Sequence, residues 1–145
     1  MHTGRRRGKT VLGFDFGLKR IGVAVGQHIT ATSSALSTIP NREDQPDWIT
    51  ISRLVQAWNP GALVVGMPSG ADGTETPLTF AVRRFARELG IRFRLPVHFM
   101  DERLSSHEAR ARIARRPNAR KRHAADSMAA KIILQDWLEQ EDTTG

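Results

Sequence analysis

Three acidic residues stand where a water-soluble chain has little reason to put them. Asp15 lies inside the apolar run Val11-Leu12-Gly13-Phe14-Asp15-Phe16-Gly17. Glu102 follows Pro96-Val97-His98-Phe99-Met100 and Asp101, and Asp126 opens an apolar helix. A carboxylate among Leu and Phe loses hydration and is tolerated only where a cation or a hydrogen-bond donor meets it. The chain has no cysteine, which excludes a thiolate site and a disulfide framework. His2, His28, His98, His107 and His123 show no metal-ligand spacing and read as surface or satisfied residues. Three acids from three separate elements therefore suit a hard cation held through oxygen, Mg²⁺ or Mn²⁺. Two such ions about 4 Å apart activate a water and stabilise a leaving oxygen in phosphodiester cleavage.

Two of these acids also have a plainer explanation. Asp15 could cap a hairpin turn. Asp126 reads as a first-turn residue, where the helix dipole favours an acid. The dipole does not explain the choice of face: Asp126 shares one with Ala130, Ile133 and Trp137, at i+4, i+7 and i+11. That face is apolar and should pack on a sheet, aiming the carboxylate at the edge of the core.

The elements that must position these acids follow from hydrophobic periodicity. Strands are expected over 11–16 and 20–26 as a hairpin turning at Gly17 to Arg20, over 33–39, over 62–66 as a continuous apolar run, and over 96–100. Pro46 should start a helix carrying Trp48, Ile51, Leu54, Val55 and Trp58 on its apolar face, ended by Asn59-Pro60-Gly61. Thr76 and Pro77 read as the N-cap and first position of a second helix, with Gly90 as its stop. Ser105 and Glu108 form a capping box for a third, and a last helix should span about 123–139. Trp48, Trp58 and Trp137 fall on apolar helix faces and are expected in the core. The loop over 66–73 is glycine-rich but lacks the lysine and hydroxyl residue of a P-loop, so its plainer task is close backbone approach to a site.

Strands first as a meander, then alternating with helices, give an α/β fold: a mixed five-stranded sheet, antiparallel and then parallel, with flanking helices. In such sheets sites gather at the carboxyl ends of the parallel strands. Asp15 and Glu102 then belong to one edge.

At 145 residues, 39% hydrophobic and 26% charged, the chain reads as one soluble domain. A basic arm is expected over 1–10, the domain over 11–139 and a short tail over 140–145. No apolar run spans a bilayer, and the basic start does not read as a signal peptide. The net charge of +7 favours a polyanionic partner, nucleic acid first. The charge clusters: Arg5, Arg6, Arg7 and Lys9 in the arm, Arg115, Arg116, Arg120, Lys121 and Arg122 in an expected loop around Pro117, and Arg83, Arg84 and Arg87 on one helix. A polyanion-binding chain with a magnesium site points to a nuclease.

Four segments in this order, LGFDFGLKRIGVAVG, VVGMPSGADGTET, PVHFMDERLSSHEA and AADSMAAKIILQDWL, resemble the YqgF-type family of Holliday-junction resolvases, described also as pre-16S ribosomal RNA nucleases. The resemblance covers roughly residues 11 to 138. It implies a ribonuclease-H-like fold, a cytoplasmic bacterial protein and metal-dependent nuclease chemistry on nucleic acid, with precursor ribosomal RNA or branched DNA as substrate. Asp15, Glu102 and Asp126 match the family's acids, as catalytic residues and as ligands of one or two Mg²⁺ or Mn²⁺ ions. Lys19 and Arg103 match basic positions that face phosphate, and Arg20 is counted with them. Position 18 is Leu where the family commonly has a small hydroxyl residue. Ala129 and Ala130 leave no fourth acid one turn after Asp126, so a second ion would lean on substrate oxygens. Two other readings fit parts of the chain. A ribosome-assembly factor would use the same basic clusters without needing all three acids. A phosphotransferase of the actin-like class shares the Asp-x-Gly hairpin but needs two such domains. Neither DNA against RNA nor the oligomeric state is encoded in these features.

Overall fold

A computed structural model of the chain describes residues 10–42, 45–68, 75–101 and 119–144, excepting the side chains of 119–125 and 142–144. The described elements are β1 (Thr10–Phe16), β2 (Arg20–Gln27), β3 (Thr32–Arg42), β4 (Gln45–Pro46), α1 (Trp48–Trp58), β5 (Ala62–Met67), α2 (Pro77–Phe93), β6 (Val97–Asp101) and α3 (Ala119–Thr144). The sheet order is β4-β3-β2-β1-β5-β6. The first four strands pair antiparallel; β1, β5 and β6 run parallel. This is the mixed sheet expected from the element order. The sixth strand is the two-residue β4, too short to read from a pattern.

Side-chain size in β1 and β2 assigns the layers. Leu12, Phe14 and Phe16 with Ile21, Val23 and Val25 are buried with Ile51 of α1 and Val82, Phe85 and Leu89 of α2. Alternate residues face the other way, where Val11, Ala24, Val64 and Met100 pack against Ala130, Ile133, Leu134, Trp137 and Leu138 of α3. The long helix lies close because small residues leave room. A Cβ added at Gly13 would stand 2.8 Å from Leu134, and one at Gly26 within 2.9 Å of the same side chain.

Helix termini explain most departures from the sequence reading. Pro46 belongs to β4, and α1 begins at Trp48 behind the N-cap Asp47. Asp47 accepts from the Thr50 backbone N–H at 3.1 Å and from its hydroxyl at 2.7 Å. These bonds hold the Asp47 carboxyl below its ordinary value of 3.8. Thr76 and Pro77 open α2 as expected, through a capping box with Thr79. Gly90 does not end it. Phe93 packs against the core, and the stop falls to Arg94, left-handed at φ 53°, whose N–H bonds to the Gly90 carbonyl. Trp48 and Trp137 join the packed regions, but Trp58 is 39% exposed, at the end of a last turn of α1 that is exposed over 56–58. β3 extends to 11 residues. Of the serines that weakened the strand signal, Ser33 serves as a donor: its Oγ bonds to Gln135 Oε1 at 2.8 Å and approaches the Lys131 carbonyl at 3.1 Å. The helix expected from the Ser105–Glu108 capping box lies outside the described residues.

Candidate nuclease site

The β1–β2 hairpin carries the first acid. Its turn closes with the Gly17 N–H on the Arg20 carbonyl at 2.9 Å. A second strand locks that turn from the side: Asn41 of β3 donates its Nδ2 to the Gly17 carbonyl at 2.7 Å and its backbone N–H to the Lys19 carbonyl at 2.9 Å. Asn41 is buried, and its Oδ1 has no partner among the described residues. Asp15 stands two residues before this turn, half-buried and paired across the ladder with Gly22.

Gly22 brings the second acid in. A Cβ at this position would lie 1.9 Å from the Asp126 carbonyl oxygen and 3.0 Å from the Ser127 nitrogen. Only glycine lets the backbone of α3 rest there. Paired residues of adjacent strands share a face, so Asp15 and the α3 backbone at Asp126 meet on the same side of the sheet. Asp126 is not a first-turn residue. It follows Ala119 by about two turns, so the helix dipole does not account for it. Its carboxylate is instead met by Arg20, whose Nε donates to Oδ2 at 2.6 Å, with the two side chains 32% and 29% exposed. Arg20, Gly22 and Ala24 alternate onto that face.

The third expected acid, Glu102, lies outside the described residues, as do Arg103, Arg115 and Arg116. The approach to Glu102 is described. In β6, Met100 packs with the α3 cluster and His98 contacts the Trp137 ring at 5.1 Å between centroids, whereas Val97 packs with the opposite cluster. Asp101 shares the parity of Val97 and Phe99. Register also agrees: Phe14 pairs with Val65 and Val65 with Phe99, and the next step brings Asp15 and Gly66 level with Met100. Among the described residues no group of three or more His, Cys, Asp or Glu is placed to hold a metal ion. The donor set that is described, two carboxylates at one sheet edge, fits a hard divalent cation in chemistry.

Of the expected phosphate-binding residues, Lys19 is exposed on the turn, and Arg20 is committed to Asp126. Arg120, Lys121 and Arg122 are not in a loop: α3 begins at Ala119 and includes them. Sequence reasoning missed Gly22 and Asn41. Gly22 had a signal in the small residues Gly22, Ala24 and Gly26 at period two. Asn41 had none, since Pro40 and the polar residues after it read as a loop.

The sheet order, antiparallel through β1 to β4 and parallel through β1, β5 and β6, with helices on its faces, is that of a ribonuclease-H-like domain. Thermus thermophilus RuvC in complex with a Holliday junction substrate shares this fold with a TM-score of 0.55 at 16% identity, over 93% of this chain and 96% of that one. The family model described as "RuvX: Holliday junction resolvase" matches residues 9–140, and the chain belongs to this family. A Legionella pneumophila (strain Philadelphia 1) protein named "Putative pre-16S rRNA nuclease" is 51% identical over 133 residues, covering 90% of this chain and 96% of its own. A Coxiella burnetii (strain RSA 493) protein of the same name is 45% identical over 130 residues, covering 90% and 92%. Among the described residues no helix is long and apolar enough to cross a membrane.

Proposed function

We propose that the chain is a divalent-metal-dependent nuclease that hydrolyses phosphodiester bonds in precursor 16S ribosomal RNA in the cytoplasm. Asp15, Glu102 and Asp126 are its catalytic carboxylates. The observation that carries this reading is Gly22, which pairs with Asp15 and bears on the backbone of Asp126. Two acids far apart in sequence thereby share one edge of the sheet. The alternation of β6, with Met100 toward α3, supports Glu102 as the third. The substrate is the one in the names of the relatives.

Mg²⁺ or Mn²⁺, one ion or two, would polarise the scissile phosphate and lower the pKa of the attacking water. The chain's own groups do the rest. Asp15, Asp126 and Glu102 would hold the ion. Asn41 fixes the turn that follows Asp15. Lys19 and Arg103 face the phosphates beside the cut. Arg115, Arg116, Arg120, Lys121 and Arg122, with the basic arm over 1–10, bind the strand further away without reading its sequence. A second reading, cleavage of branched DNA, draws on the description of the family and uses the same site.

Single-turnover cleavage and binding of a precursor 16S RNA and of a four-way DNA junction, in Mg²⁺ and in EDTA, test the proposal. Glu102→Gln keeps size and removes a charged ligand. Cleavage should fall by roughly two to three orders of magnitude, since metal stabilisation is worth several kcal/mol, while binding weakens little. Faster cleavage of the junction would favour the resolvase. Equal rates for variant and wild type would leave a binding factor in place of an enzyme.

A further inference from the structure

Arg20 and Asp126 have conflicting duties. Asp126 is proposed to hold a cation, and Arg20 to face a phosphate, yet the two are bonded to each other. The Nε to Oδ2 distance of 2.6 Å marks a short, charge-assisted hydrogen bond. A guanidinium keeps its charge at any physiological pH. It does not leave Asp126 by losing a proton, so a second cation at that carboxylate must compete with it. Both side chains are about 30% exposed, and ion pairs with this access to water are worth at most about 1 kcal/mol. A divalent ion carries twice the charge and competes for the same oxygen. The freed guanidinium would still stand on the acid-bearing face, two residues from Gly22 toward the hairpin turn, beside exposed Lys19.

We infer that Arg20 is an internal counter-ion: it occupies Asp126 in the metal-free protein and passes to a substrate phosphate when the divalent cation takes that carboxylate. This rests on the metal reading of Asp126 given above. No bond is made or broken covalently; one cation replaces another at Asp126, and the guanidinium trades a carboxylate for a phosphate. The exchange couples the two ligands. Metal binding releases a phosphate-binding arginine, and nucleic acid that captures Arg20 frees an oxygen for metal, the two effects being equal by linkage.

Mn²⁺ titration of the full chain without nucleic acid, followed by electron paramagnetic resonance, reads the exchange directly. Arg20→Ala and Arg20→Gln should bind Mn²⁺ about three- to fivefold more tightly than wild type, the upper end set by an ion pair with this access to water. Arg20→Lys restores a competing cation and should stay within about twofold of wild type. Lys19→Ala removes the same charge from the same turn without vacating Asp126, and should also stay within about twofold. Arg20→Gln serves if Arg20→Ala fails to fold, and thermal melts establish folding for each. Mn²⁺ affinity unchanged or weakened in both Arg20 variants would overturn the exchange, as would an equal gain in Lys19→Ala. No Mn²⁺ binding by any variant, wild type included, would overturn the metal reading itself and the exchange with it.

Discussion

On one face of the sheet, Leu12, Phe14, Phe16, Ile21, Val23 and Val25 fill the space beneath α1 and α2. On the other, Gly13, Gly22 and Gly26 leave that space empty, and α3 comes down to the backbone. The same two strands build both. The first face works by volume. Phe85 touches Phe14 edge-on at 5.6 Å, Phe16 at 5.0 Å and the stacked ring of Trp48 at 5.6 Å, and Arg92 covers Trp48 at 4.3 Å. Such packing stabilises the fold and tolerates small shifts in how rings meet. The second face works by the absence of volume. Close approach places Asp126 beside the partner of Asp15, and the tolerance there is a fraction of an ångström. The pleat therefore separates two kinds of packing: adjacent residues of one strand serve opposite faces.

Truncation on the large face should give the greatest loss of stability. Phe14→Ala removes a fully buried ring and should cost about 3–5 kcal/mol. The urea midpoint would fall with the slope unchanged, while folded molecules keep Mn²⁺ affinity near wild type. Lost Mn²⁺ binding in folded Phe14→Ala would break the separation of the faces. Enlargement on the small face should reverse the balance. Gly22→Ala forces the α3 backbone off the sheet, and overpacking of this kind costs about 1–3 kcal/mol. Its functional effect should be the greater one, with Mn²⁺ affinity down at least about tenfold, because a rigid backbone and not a flexible side chain must move. Wild-type Mn²⁺ affinity in Gly22→Ala would show that α3 gives way without consequence for the acids.

What was legible in the chain follows the same division. Asp15 stood out because a carboxylate among Phe14, Phe16 and Leu12 violates local hydration. β1, β2 and β5 were legible as apolar runs, and the start of α2 as Thr76-Pro77. Helix ends that depend on tertiary contact were not. Gly90 looked like a stop because nothing local reveals that Phe93 packs against Trp48, at 6.4 Å between rings. Pro46 looked like a helix start because the stronger cap, Asp47, bonds through Thr50. The placement of Asp126 on the sheet-facing side of its helix was legible from Ala130, Ile133 and Trp137. Its placement in a first turn was wrong, since the helix begins at Ala119, in a stretch whose run of arginines around Pro117 reads as a loop. The pairing of Arg20 with Asp126 joins positions 106 residues apart, and no local pattern encodes it. Gly22 was visible only as one more small residue in a strand. Its meaning comes from what lies above it.

The central claim is that the small-residue face is the catalytic one. A matched pair of neighbours on opposite faces, Asp15→Asn and Phe16→Leu, tests it most directly by single-turnover cleavage of precursor 16S RNA in Mg²⁺, with a thermal melt of each protein. Asp15→Asn should retain its melting temperature and its RNA binding while cleavage falls by roughly two orders of magnitude or more. Phe16→Leu should melt earlier and cleave, per folded molecule, at the wild-type rate. Wild-type cleavage by Asp15→Asn would contradict the account.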